Sequence, residues 1–417
     1  MRRFVVALVA ACALFAGWSA APAEARTRLD ARVDALTPQQ LLTRNAAVLV
    51  DPGRQRRARA IADLRHGASA GWGIAQILAF WWLWRSGTAA RIRDAMRRRT
   101  RSRLAHRAVF GAVLGAIGPL AALPFALASY RVGFNVGTTD EHLDQWFLDY
   151  AIRVGLDALV GAIVVAIVIW LVEKVRVWYL ILAGLFYAGA IVAVALAPLA
   201  PIGTPHKTTP HAVAAIGADV AARVGVPGTP VVVLATSRHG NEMTARAAGI
   251  GPTAQAVLGD VTLVHLTPPE LRWVLAIDDA HVLTADALRL TLIAVTLFVL
   301  SAAIAVLLSD RVGFRRDDDA LSRLALVATF LGCVLIVAYP IYTAFSRNLT
   351  TRADGIALAA TGDRAAAVRA MIRYADDDLA PLCDRRSIRW YFDDRPALGG
   401  RIAGAARTPD PCPGATR

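Results

Sequence analysis

Long apolar runs alternate along this chain with short polar segments that are mostly basic. Six runs are long enough to cross a bilayer as helices: about Ala68 to Trp84, Val109 to Ala128, Leu156 to Val172, Val177 to Ala200, Ala287 to Leu308 and Leu324 to Phe345. The first of them is short and contains Gln76. Between the fourth and fifth runs the pattern changes. Ala212 to Val224 has the one-sided periodicity of a helix, and Val231 to Leu234 reads as a buried strand. Two arms then flank Gly249-Ile250-Gly251-Pro252 as a hairpin. Thr244, Ala245 and Arg246 lie on its first arm, which either offers an edge strand to an extended peptide or simply covers the following helix. After the last run, Arg352 to Tyr374 and Arg385 to Ala406 add helices and a loop that would close over this unit. At the other end, Arg26 to Gly67 is polar and helix-like, with Leu29, Val33, Leu36, Leu41 and Leu42 spaced for one face, and carries no nameable chemistry.

Composition agrees with a membrane protein: 56% of the residues are hydrophobic. The net charge of +14 would also suit a nucleic-acid binder, but the basic residues crowd beside the apolar runs, where topology accounts for them, so no nucleic-acid partner is expected. Arg85, Arg91, Arg93, Arg97, Arg98, Arg99, Arg101, Arg103 and Arg107 face only Asp94 between the first two spans, so this loop is expected in the cytoplasm. Alternation from there puts Tyr130 to Gly155, Pro201 to Asp286 and the tail after Ser346 outside, while Arg311, Arg315 and Arg316 stay inside. Met1 to Ala25 has the form of a secretory signal, with Arg2-Arg3, the apolar run Phe4 to Phe15 and Ala23-Glu24-Ala25 before a mature start at Arg26. An uncleaved anchor is the other reading, and Val9 to Cys12 also has the form of a lipoprotein cleavage site. Cys383 and Cys412 fall in the outer tail, either as a disulfide or as two free thiols, and Cys333 lies in a span. Asp157 and Arg289 sit only at span ends, so no transport path is indicated.

The stretch Pro268 to Asp286, PPELRWVLAIDDAHVLTAD, has the frame of a zinc-peptidase helix. In H-E-x-x-H, two His at i and i+4 share a helix face and bind Zn²⁺, and the Glu between them handles the attacking water. Here the five positions read Ile277, Asp278, Asp279, Ala280 and His281. The flank P-x-E-L-x-x-V-L-A continues the match. Upstream, Ser237, Arg238, Asn241, Ala245, Gly249, Gly251, Pro252 and Thr253 fit S-R-x-x-N-x-x-x-A-x-x-x-G-x-G-P-T; downstream, Ser346, Arg347, Ala353 and Asp354 fit S-R-x-x-E-x-x-A-D. Thr361-Gly362-Asp363 and R-P-A-L-x-x-R-I-A, Arg395 to Ala403, follow. From about Trp81 to Ala406 the chain therefore resembles the CAAX prenyl endopeptidases and their HtpX-type relatives, integral-membrane zinc metallopeptidases.

That resemblance implies a multi-span α-helical membrane protein with an inserted α+β zinc-peptidase-like domain. The chain then divides into a signal (1–25), a polar helical segment (26–67), four spans (68–200), the α+β unit with its altered motif helix (201–286), two spans (287–345) and the domain's C-terminal part with the tail (346–417). The family's three ligands, two His and the Glu of S-R-x-x-E, correspond here to Ile277, His281 and Thr350. Asp278 occupies the general-base position with a shorter carboxylate, and Arg395 replaces the late His on the oxyanion side. The expectation is a degenerate member, without zinc, that holds a peptide, lipid or membrane-protein partner. The alternative is an active metallopeptidase with an atypical site, such as one rebuilt from Asp278, His281 and Asp354. Asp279 and Asp286 are expected on the solvated side or capping backbone. The bilayer is a bacterial-type inner or plasma membrane, with the peptidase-like domain on the exported, periplasmic side.

Overall fold

A computed structural model describes residues 31–99, 101–175, 178–196, 206–238, 240–312 and 320–412. The expected signal, its alternatives and Arg315 and Arg316 lie outside the described residues. The N-terminal half of the chain is a run of helices: α1 (Pro38–Thr43), α2 (Ala46–Leu49), α3 (Pro52–Arg85), α4 (Thr88–Arg99), α5 (Arg103–Val136), α6 (Leu143–Lys174) and α7 (Trp178–Leu196). Two further long helices, α11 (Asp286–Arg311) and α12 (Ala320–Thr361), complete the bundle. Among the described residues five helices, α5, α6, α7, α11 and α12, are long and apolar enough to cross a membrane. The first predicted span, Ala68 to Trp84, forms the C-terminal half of α3, whose N-terminal half is polar, and α3 is not one of those five. α5 and α6 approach through glycine: a Cβ on Gly111 would stand 2.3 Å from the Gly161 carbonyl oxygen, and one on Gly115 2.1 Å from that of Asp157. Small residues are what allow such backbone contact between apolar helices, where there is no hydrophobic drive to pull them together.

The inserted unit holds β1 (His206–Lys207), α8 (His211–Val224), β2 (Val231–Leu234), β3 (Ala245–Ala248), β4 (Gln255–Gly259), α9 (Asp260–His265) and α10 (Pro268–Leu283). Its sheet has the order β1-β2-β4-β3. β3 and β4 are the predicted hairpin, paired antiparallel as Ala245↔Leu258 through Ala248↔Gln255. β4 in turn runs parallel to β2, and β3 is left as the edge strand. Asn241 ties this unit to the α5–α6 turn, since its backbone N–H donates to the Thr138 carbonyl at 3.0 Å and its amide to Asp140. The C-terminal part adds α13 (Arg364–Asp377), α14 (Arg386–Tyr391) and α15 (Leu398–Ala406).

The polar N-terminal segment is structural. Val33, Leu41, Leu49 and Val50 are buried in one core with Val220, Leu258, Leu275, Ile372 and Ile402. Complete burial of a leucine contributes about 1.5–3 kcal/mol, so Leu41 and Leu49 fasten this segment to the extramembrane domain. Charge completes the attachment. The backbone N–H of Asp51 donates to Asp376 Oδ1 at 3.1 Å, and Asp34 pairs with Arg373. Arg373 also meets both carboxylate oxygens of Glu270, at 3.2 and 3.1 Å, with both side chains buried.

Candidate functional site

α10 starts where Pro268 and Pro269 take the first helical positions, whose N–H groups would have no helical partner, and where the Glu270 carboxylate accepts the Thr267 N–H at 2.8 Å. The helix stops at Thr284, and a single left-handed residue, Ala285 at φ 51°, turns the chain directly into α11. So short a connection folds Asp286 back beneath the motif. His281 Nδ1 and Asp286 Oδ2 are 2.8 Å apart. Asp286 and Asp279 are each 2% exposed, so both are buried rather than on the solvated side as expected from sequence. Burial pushes the Asp279 carboxyl up to about 7.

Asp278, one position earlier on α10, is 3% exposed. Burial, then the neighbouring Asp279 charge, raises its carboxyl well above the ordinary carboxylate range, while Arg395 and Arg246 pull it down. Its Oδ2 has no hydrogen-bond partner among the described residues. Such a carboxyl holds its proton more readily than an ordinary carboxylate does.

The third element of the site is α12, which carries Ser346 and Thr350 out of the bundle in one unbroken helix. Pro340 interrupts its hydrogen-bond ladder and leaves the Ile336 carbonyl without the helical donor four residues on; the Tyr391 hydroxyl takes its place at 2.8 Å. Ile277, Asp278, His281 and Thr350 all line one cavity of about 410 Å³, together with Thr244, Ala245 and Arg246 of the hairpin and with Arg395. The structure thus brings together the residues assigned from sequence. Asp354 is the exception. It receives Nε and Nη2 of Arg401, both at 2.8 Å, and does not line the cavity. Tyr374 and Arg401 do line it, and neither was assigned a role from sequence. Arg401, whose guanidinium lies 5.8 Å from the centre of the Trp273 ring, is the second Arg of R-P-A-L-x-x-R-I, so the signal was visible but its partner was not.

Zinc in a catalytic site takes three protein ligands and keeps one position open. Here one imidazole stands beside an aliphatic side chain, Ile277, and a hydroxyl, Thr350, which donates to the Ser346 carbonyl at 3.1 Å. No three His, Cys, Asp or Glu among the described residues are grouped to hold a metal ion. The Asp286 contact orients His281 as carboxylates orient metal-bound imidazoles, but the rest of the donor set does not fit zinc.

A helical bundle carrying a small sheet domain whose edge strand, motif helix and C-terminal loop enclose one cavity defines an integral-membrane peptidase scaffold. Residues 208–408 match peptidase family M48, and residues 57–202 match the CAAX prenyl protease N-terminal region of five membrane helices. The chain belongs to the CAAX prenyl protease/M48 family. The crystal structure of S. mikatae Ste24p superposes on it with a TM-score of 0.71 over 92% of this chain and 96% of that one, at 17% identity. No curated protein matches the chain.

Proposed function

We propose that this chain is a pseudopeptidase: a membrane protein that keeps the metallopeptidase scaffold and cavity, has given up zinc-dependent proteolysis, and holds a partner in the cavity instead. One observation carries the reading. Ile277 and Thr350, at two of the three ligand positions, line the same cavity as His281 and give it no metal-binding atoms. An active site rebuilt from Asp278, His281 and Asp354 would require Arg401 to release Asp354 from a two-point ion pair. The test is chelation: the purified protein, supplied with excess Zn²⁺, should cleave unfolded casein no faster with metal than with a chelator. Chelator-sensitive cleavage would establish the active alternative.

We place the peptidase-like domain on the exported side of a bacterial-type inner or plasma membrane. The arginine-rich segment from Arg85 to Arg107 supports this, and so does the disulfide between Cys383 and Cys412, a bond that persists in oxidising compartments. A reporter inserted between Arg97 and Arg103 should be cytoplasmic and one after Ala403 exported; the opposite pattern inverts the orientation.

A further inference from the structure

The cavity's chemistry is specific enough to say what kind of partner it takes. Its lower end is formed by Asp286, Ala287 and Leu290, the first residues of the span α11, together with Tyr342 and Ser346 of α12. One wall of the cavity is therefore formed where the extramembrane domain meets the bundle. Its walls are apolar on several sides, with Leu266, Val274, Ile277, Leu349, Met371 and Leu398. Two cations stand against these walls on separate elements: Arg246 on the edge strand β3 and Arg395 between α14 and α15. Neither guanidinium makes an ion pair or hydrogen bond to the described residues, in contrast to Arg401, which is committed to Asp354. Between them lies Asp278, buried, with one oxygen unpartnered. Asp394, beside Arg395, and Asp286, paired with His281, complete the charged lining.

We propose that this cavity binds a single-chain amphiphile with a phosphate head, its oxyanion held by Arg246 and Arg395 over Asp278 and its apolar tail lying between α10 and α12. A guanidinium offers parallel N–H donors that match phosphate oxygens two at a time, so two of them suit a head that carries up to two charges. A cationic head would meet two guanidinium groups that have no ion pair among the described residues. The large apolar share of the lining needs a tail to cover it, and the wall formed by Ala287 and Leu290 belongs to a helix apolar enough to span a bilayer.

This inference rests on the cavity's being free of metal, which is measured separately by zinc content. The test uses the full chain in nanodiscs of zwitterionic lipid and ³²P-labelled dodecyl phosphate, with empty nanodiscs as the blank. Saturable binding at about one molecule per chain is expected, displaced by unlabelled dodecyl phosphate and not by inorganic phosphate or dodecyltrimethylammonium at the same concentration. Arg246→Ala with Arg395→Ala should weaken it at least about tenfold, since charge-assisted hydrogen bonds are lost at both ends of the head. Arg246→Lys with Arg395→Lys, which keeps the charge and is safer for folding, should weaken it less. Arg272→Ala, an exposed arginine away from the cavity lining, should leave binding unchanged. Zinc-free protein that shows no saturable binding above the blank overturns the proposal and leaves the pseudopeptidase reading standing. So does binding that is indifferent to both arginine pairs. Equal displacement by inorganic phosphate overturns it too, by showing a free-anion site with no use for the tail.

Discussion

Replacing Arg373 by alanine should destabilise the extramembrane domain by about 3–5 kcal/mol, because it strips the opposite charge that, among the described residues, pairs with a wholly buried carboxylate. Glu270 is 0% exposed and spends one oxygen on the Thr267 N–H at the start of the motif helix, so its unpaired charge would appear at the root of α10. The same change releases Asp34, and with it a tie to the N-terminal segment. Thermal unfolding of the detergent-solubilised protein measures the loss. Arg373→Met combined with Glu270→Leu should recover much of it, since replacing both members of a buried ion pair by apolar residues of similar size is often neutral. A single variant as stable as the parent would show that this pair does not hold the domain together.

The second large effect is a gain. Ile277→His, Asp278→Glu and Thr350→Glu together should yield a variant that binds about one zinc per chain, since two imidazoles and a carboxylate around an open position form a usual catalytic set. The backbone positions support it: all three residues and His281 line the same cavity, and Asp286 already orients the surviving imidazole. Peptidase activity is a stricter demand. It depends on alignment well under 1 Å and on Arg395 serving where the family has a His. A folded triple variant that takes up no zinc would show that Ile277 and Thr350 do not stand where ligands once stood.

Much of this architecture could be read from the chain because its signals are local. The apolar runs of α5, α6, α7, α11 and α12 announce themselves, and the glycines of Gly249-Ile250-Gly251-Pro252 mark the β3–β4 turn that the structure contains. The site residues were also legible, through spacing that places Ile277 and His281 one helical turn apart. What escaped was long-range. Arg26 to Gly67 showed only a weak amphipathic pattern, and its role appears when Val33 and Leu49 meet Ile372 and Ile402, and when Asp51 meets Asp376, 325 residues further on. The burial of Asp286 escaped for a different reason. It depends on the one-residue turn at Ala285, whose left-handed backbone no glycine or asparagine advertises. The continuity of α12 was hidden in the same way, because the last apolar run ends at Phe345 while the helix continues to Thr361, with the Tyr391 hydroxyl repairing the ladder at Pro340.

Zinc content decides the central claim. Metal analysis of the full chain, purified from zinc-supplemented cells without chelator, should find far less than one zinc per chain, and His281→Ala should leave that value unchanged. Near-stoichiometric zinc that disappears with His281→Ala would contradict the account and show that a working metal site has been rebuilt on this scaffold.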